Sequence, residues 1–123
     1  MDALKQVTDE IRTFRDERDW LQFHSPKNLA ASVMIEAGEL MEHFQWCSGE
    51  ESHAVGQRKR TEVSHEIADV AVYLIELADV LGIDIIDAIR EKMRLNEQKY
   101  PVSKSRGSAK KYTELGSDPG TKT

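Results

Sequence analysis

The segment Thr61-Glu62-Val63-Ser64-His65-Glu66-Ile67-Ala68-Asp69-Val70-Ala71-Val72-Tyr73-Leu74-Ile75-Glu76-Leu77-Ala78 decides the fold class of this chain. At about 100° per residue, Glu62, Glu66, Asp69, Tyr73 and Glu76 share a stripe only ~80° wide. Val63, Ile67, Val70, Ala71, Leu74, Ile75, Leu77 and Ala78 cover most of the remaining circumference. A surface helix normally has an apolar stripe and a broad polar face. Here the proportions are reversed. Such a helix has to be surrounded on most sides, more than one four-helix chain easily provides, so a homo-oligomer is expected.

Working outward, the pattern predicts this helix from about Gln57 to Leu81, with Gly82 placed to end it. Upstream, Ser25 followed by Pro26 reads as N-cap and first helical position of a helix running to about Trp46. Leu29, Val33, Ala37, Leu40 and Phe44 form one face of that helix; Asn28, Ser32, Glu36, Glu39 and His43 form the other. A first helix, about Asp2 to Asp19, carries Leu4, Val7, Ile11 and Phe14 at helical spacing. Downstream, Asp84 caps a helix to about Lys99, which Pro101 stops. Residues 47–56, with Ser48, Gly49 and Gly56, read as a loop. The expectation is an all-α fold of four main helices over residues 1–103. A basic tail follows over 104–123, ordered to about Leu115 and disordered beyond it.

The 123 residues suit one domain, and 39% hydrophobic with 32% charged residues suits a globular protein. The net charge of −5 is uneven. Residues 1–98 carry 11 basic and 20 acidic side chains, whereas 99–123 carry 6 and 2. An acidic body repels nucleic acid, so no nucleic-acid partner is expected. The single cysteine, Cys47, excludes an intrachain disulfide framework. Met1-Asp2-Ala3-Leu4-Lys5 carries no apolar signal-peptide core, and no apolar run approaches the ~20 residues of a membrane span. A cytoplasmic location without membrane association is expected.

The chemistry lies in two carboxylate pairs, Glu36/Glu39 and Glu66/Asp69. Each pair concentrates like charge on one helix face, because i and i+3 are neighbours. A solvated surface would interleave lysine or arginine with them, and none interleaves here. If the two helices pack together, four carboxylates converge and call for a hard cation such as Mg²⁺, with Mn²⁺ a substitute. A redox di-metal bundle is the competing metal reading, but it needs Glu-x-x-His from two helices. Only Glu62-x-x-His65 supplies one. A non-enzymatic helical module offering acidic grooves to a basic partner is a further alternative.

Glu36-Ala37-Gly38-Glu39 followed by Glu66-Ile67-Ala68-Asp69 resembles the E-x-x-E…E-x-x-D signature of the MazG-like all-α nucleoside triphosphate pyrophosphatases. Four further stretches resemble the dCTP pyrophosphatase branch: Arg18-Asp19-Trp20-Leu21-Gln22-Phe23-His24, Phe44-Gln45-Trp46, Lys92…Asn96…Lys99-Tyr100-Pro101 and Lys111-Tyr112-Thr113-Glu114-Leu115. The likeness runs from about Val7 to Leu115. Ile35 departs from it, standing where many MazG sequences have a second adjacent glutamate.

The resemblance implies Mg²⁺-dependent hydrolysis of a deoxynucleoside triphosphate, dCTP or a modified relative, to the monophosphate and pyrophosphate. It also implies nucleotide-pool house-cleaning and an assembly of dimers, with a dimer-of-dimers tetramer favoured. Glu36, Glu39, Glu66 and Asp69 are then the expected metal ligands. Glu42 is the expected base and Glu36 the alternative. Trp20, Phe23, His24, Asn28, Trp46 and Tyr73 are expected around the nucleoside, and Lys92, Asn96 and Lys99 on the phosphates.

Overall fold

The computed structural model describes residues 2–115. Every regular element among them is helical. Six α-helices are present: α1 (Ala3–Glu17), α2 (Pro26–Glu42), α3 (Gly49–Arg58), α4 (Arg60–Val80), α5 (Ile85–Lys99) and α6 (Val102–Ser105). Single 3-10 turns occur at Leu21–Phe23 and Tyr112–Glu114. Residues 116–123, for which disorder is expected, lie outside the described residues.

Two of the sequence boundaries need correction. Residues 47–56 are not a loop but most of α3. Ser48 caps that helix by accepting from the Glu51 backbone N–H, and the Glu51 side chain reaches back to the Ser48 N–H. This Ser-x-x-Glu capping box satisfies two orphan donors and outweighs the glycines at 49 and 56. The second helix stops at Glu42 rather than Trp46, with His43–Trp46 in turns closed by bonds such as Phe44 N–H to Met41 O.

Other signals act as their chemistry requires. Ser25 Oγ accepts the Asn28 N–H at 3.1 Å, and Pro26 occupies the first turn, where no intrahelical donor is needed. Asp84 accepts the Asp87 N–H and starts α5. Gly82 adopts φ 67° after α4, allowing its N–H to reach Asp79 O and the Ile83 N–H to reach Ala78 O. This is a Schellman end, which satisfies the last carbonyls of the helix. Asp19 makes the same turn after α1 at φ 54°, with its own and the Trp20 N–H on Asp16 O and Arg15 O.

The chain forms two compact units, one ending at Ile83 and the next beginning at Asp84. In the first, α4 is the axis, packing most extensively on α2 and less on α1 and α3. Helices α2 and α4 run antiparallel: His43, just past the end of α2, meets Glu66, while His24, just before its start, meets Glu76. Leu29 of α2, 1% exposed, is the most enclosed core residue, joined by Val55 of α3. In the second unit the Tyr112 ring lies edge-on to Tyr100 and beneath Lys99, which holds the turn at 112–114 against the end of α5.

Helix α4 is inverted relative to an ordinary surface helix. Its polar stripe turns inward at Glu66, Tyr73 and Glu76, while Ile67 and Leu74 on its apolar flanks are exposed in the isolated chain. Met34, Ile35 and Met41 of α2 are exposed as well.

Candidate metal and nucleotide site

The antiparallel pairing of α2 and α4 brings one carboxylate oxygen from each of Glu36, Glu39 and Glu66 within 4.8 Å of one another. Periodicity explains the contributions: i and i+3 on α2 face one position of the stripe on α4. Asp69 lies outside this tight group, yet close enough for its charge to act on both Glu36 and Glu66. Glu62 and His65, the pair a redox bundle would use, are exposed and take no part in the cluster.

The group is electrostatically unsatisfied. Burial, then a hydrogen bond to Glu39 that only the protonated form can make, then repulsion from Glu39, Asp69 and Glu66, pushes the Glu36 carboxyl up to about 7. Burial first, then Glu39 and Asp69, also raises Glu66. His43 opposes that rise from 4.0 Å. Glu36 Oε2 and Glu66 Oε2 are both buried without a hydrogen-bond partner. Converging oxygens with spare lone pairs and no lysine or arginine fit a hard divalent cation, which is an all-oxygen preference.

The remaining expected residues fall into three sets. Tyr73 lies one turn beyond Asp69; burial, then Glu36 and Glu76, raises its phenol. Trp20 stacks edge-on against Phe14 at 5.8 Å, His24 is largely enclosed, and Phe23 is exposed. Asn28 is engaged locally, its side-chain amide donating to Phe23 O at 3.0 Å and tying the 3-10 turn to α2. Glu42 and Trp46 line a cavity of about 390 Å³ together with His43, Cys47, Arg58 and Lys59. Trp46 is 90% exposed there, because the helix ends before reaching it. Lys92, Asn96 and Lys99 belong to α5 in the second unit, with Lys99 over the Tyr112 ring.

Sequence reasoning missed a second charged group at the far end of the same helix. Arg12 donates through Nε to Asp79 Oδ2 at 3.0 Å and through a second nitrogen to Asp79 Oδ1. Buried Arg15 sits 3.6 Å from Asp79 and bonds Asp16. Glu76, 5% exposed, faces His24 at 3.9 Å. Glu76 was legible as a stripe member, and His43 as part of the polar face of α2. The arginines gave no signal, since their partner lies far along the chain, 67 residues from Arg12.

An all-helical carboxylate centre of this kind defines a class, and the comparisons agree with it. The chain belongs to the MazG-like family, whose pattern matches residues 31–115. It is 46% identical over 104 residues to dCTP pyrophosphatase 1 of Mus musculus and 42% identical over the same length to that of Homo sapiens. Those alignments take in 83% of this chain but only 61% of each relative. The crystal structure of a pyrophosphatase from Archaeoglobus fulgidus superposes with a TM-score of 0.80 at 48% identity, covering 82% of this chain and 94% of that one.

Proposed function

We propose that this protein is a Mg²⁺-dependent nucleoside triphosphate pyrophosphohydrolase that converts dCTP, or a modified relative, to the monophosphate and pyrophosphate. The observation that carries the reading is the convergence of Glu36, Glu39 and Glu66 with His43 at 4.0 Å from Glu66 and, among the described residues, no lysine or arginine paired with them. The likeness to dCTP pyrophosphatases supplies the substrate class.

In this proposal Glu36, Glu39 and Glu66 hold the cation, with Asp69 completing the set. Bound Mg²⁺ would supply the positive charge that lets a polyanion approach an acidic site, and would ease deprotonation of the attacking water. The carboxylates fix where the phosphates lie. Glu42 is the proposed base for the attacking water, and Glu36 the alternative. Trp20, Phe23, His24, Asn28, Trp46 and Tyr73 are assigned to the nucleoside, and Lys92, Asn96 and Lys99 to phosphate oxygens on their spacing and the family resemblance.

A homo-oligomer, a tetramer in preference to a dimer, belongs to the same proposal. Exposed Met34, Ile35, Met41, Ile67 and Leu74 in the first unit, and Ile86, Ile89 and Met93 in the second, are more apolar surface than a monomer normally presents. Among the described residues no helix is long and apolar enough to cross a membrane, and Cys47 is a free thiol. A cytoplasmic location and a house-cleaning role belong to the same proposal. The test is direct: full-length protein with dCTP and Mg²⁺ releases dCMP and pyrophosphate. Release of dCDP with inorganic phosphate, or no turnover of any common nucleotide, overturns the proposal.

A further inference from the structure

Ten residues of α4 separate Glu66 in the carboxylate cluster from Glu76, about 15 Å along a helix that rises 1.5 Å per residue. That span is comparable to an extended nucleoside triphosphate, so a nucleotide lying along α4 with its phosphates at Glu66 reaches the His24–Glu76 end. There, His24 Nδ1 is buried and has no hydrogen-bond partner. Among the described residues, the charged side chain paired with it is Glu76, whose Oε2 lies 3.9 Å away. Glu76 is itself faced by Arg15 from α1 and by Asp79 from its own helix. Burial raises its carboxyl. A lone pair on Nδ1 would point electron density at a buried carboxylate, whereas a proton there meets an acceptor after a small side-chain rotation.

We propose that Glu76 is a positioning residue: it accepts the Nδ1 proton of neutral His24 and leaves Nε2 as a lone-pair acceptor that selects a base bearing an exocyclic amino group. Cytosine offers that group as N4–H₂. Uracil and thymine place a carbonyl oxygen there, setting lone pair against lone pair. Which nitrogen of a histidine carries the proton is fixed by what the other one bonds. This deepens the dCTP assignment and rests on His24 belonging to the nucleotide site.

The first experiment is independent of turnover. Histidine ¹⁵N spectra of the full-length protein near pH 7.5 should show His24 protonated at Nδ1 and unprotonated at Nε2, and Glu76→Leu should abolish that preference. The opposite tautomer in the unsubstituted protein overturns the proposal. The second is kinetic. Glu76→Leu should raise the KM for dCTP roughly tenfold with little change in kcat, and should shrink the preference for dCTP over dUTP. Glu76→Gln retains an acceptor oxygen and should restore most of that preference. Unchanged KM and selectivity in Glu76→Leu, or a loss confined to kcat and thermal stability, also overturns it. Absence of dCTP hydrolysis by the unsubstituted protein overturns the functional assignment instead, and the ¹⁵N result then still decides the tautomer.

Discussion

Two carboxylates on α4, Glu66 and Asp79, have the same residue chemistry and opposite electrostatics. At one end Glu66 meets Glu36 and Glu39, and its carboxyl is raised. At the other, Asp79 accepts from Arg12 with Arg15 alongside, and its carboxyl is lowered. Both belong to a single 21-residue helix. The difference shows that this chain builds its own counter-ions where a carboxylate has a structural role. Where three carboxylates converge it places only His43, and no described lysine or arginine. A charge left unpaired and partly buried is costly, and the proposed divalent cation would offset that cost.

The largest effect should come from breaking the unpaired end. Glu39→Gln removes a cluster oxygen's charge and should lower dCTP turnover roughly 10²-fold or more, because metal stabilisation of the phosphates is lost. The same change relieves like-charge repulsion, so the metal-free variant should unfold at no lower a urea concentration than the unsubstituted chain. A variant that loses the fold without metal would assign Glu39 to the scaffold instead.

Breaking the paired end should reverse that pattern. Arg15→Met keeps most of the apolar stem but strips the cation that faces Glu76 and Asp79. Removing one partner of a buried ion pair costs about 3 kcal/mol, read as a lower urea midpoint, with metal affinity little changed. Equal stability in the two proteins would mean that Arg12 alone compensates Asp79.

The smallest effect separates the two ends by pH. Glu36 is pushed up to about 7 in the fold from its ordinary 4.5, so the native state holds the extra proton between those values. Stability of the metal-free protein should therefore fall as pH rises through that window. Asp79 has the opposite sign: its depressed value stabilises the fold above the ordinary carboxylate range and is lost on acidification through it. Metal-free protein should accordingly show a higher urea midpoint at pH 6 than at pH 8. Saturating Mg²⁺ should reduce or invert that difference, since cation and proton compete for the same oxygens. A midpoint that climbs from pH 6 to 8 without metal would contradict the assignment of Glu36.

Much of this was legible in the chain itself. Ser25-Pro26, Asp84 and Gly82 mark helix ends by local chemistry, and local chemistry survives folding unchanged. Residues 47–56 resemble a loop through their glycines, and the Ser48/Glu51 capping box makes them helical instead. Trp46 was placed on a helix by continuing a period that the backbone abandons at Glu42.

The sequence by itself determined an all-helical chain, the family, and which residues share a face, because periodicity assigns each side chain a direction on its own helix. It paired Glu36 with Glu39 and Glu66 with Asp69 for that reason. Only the tertiary structure decided that Glu66 joins the tight oxygen cluster while Asp69 acts from outside it. The same holds for Asp79, which draws two arginines from α1, and for Glu76, which faces a histidine ahead of α2. These outcomes depend on how closely and at what register helices from distant parts of the chain approach. A helical period carries no information about that.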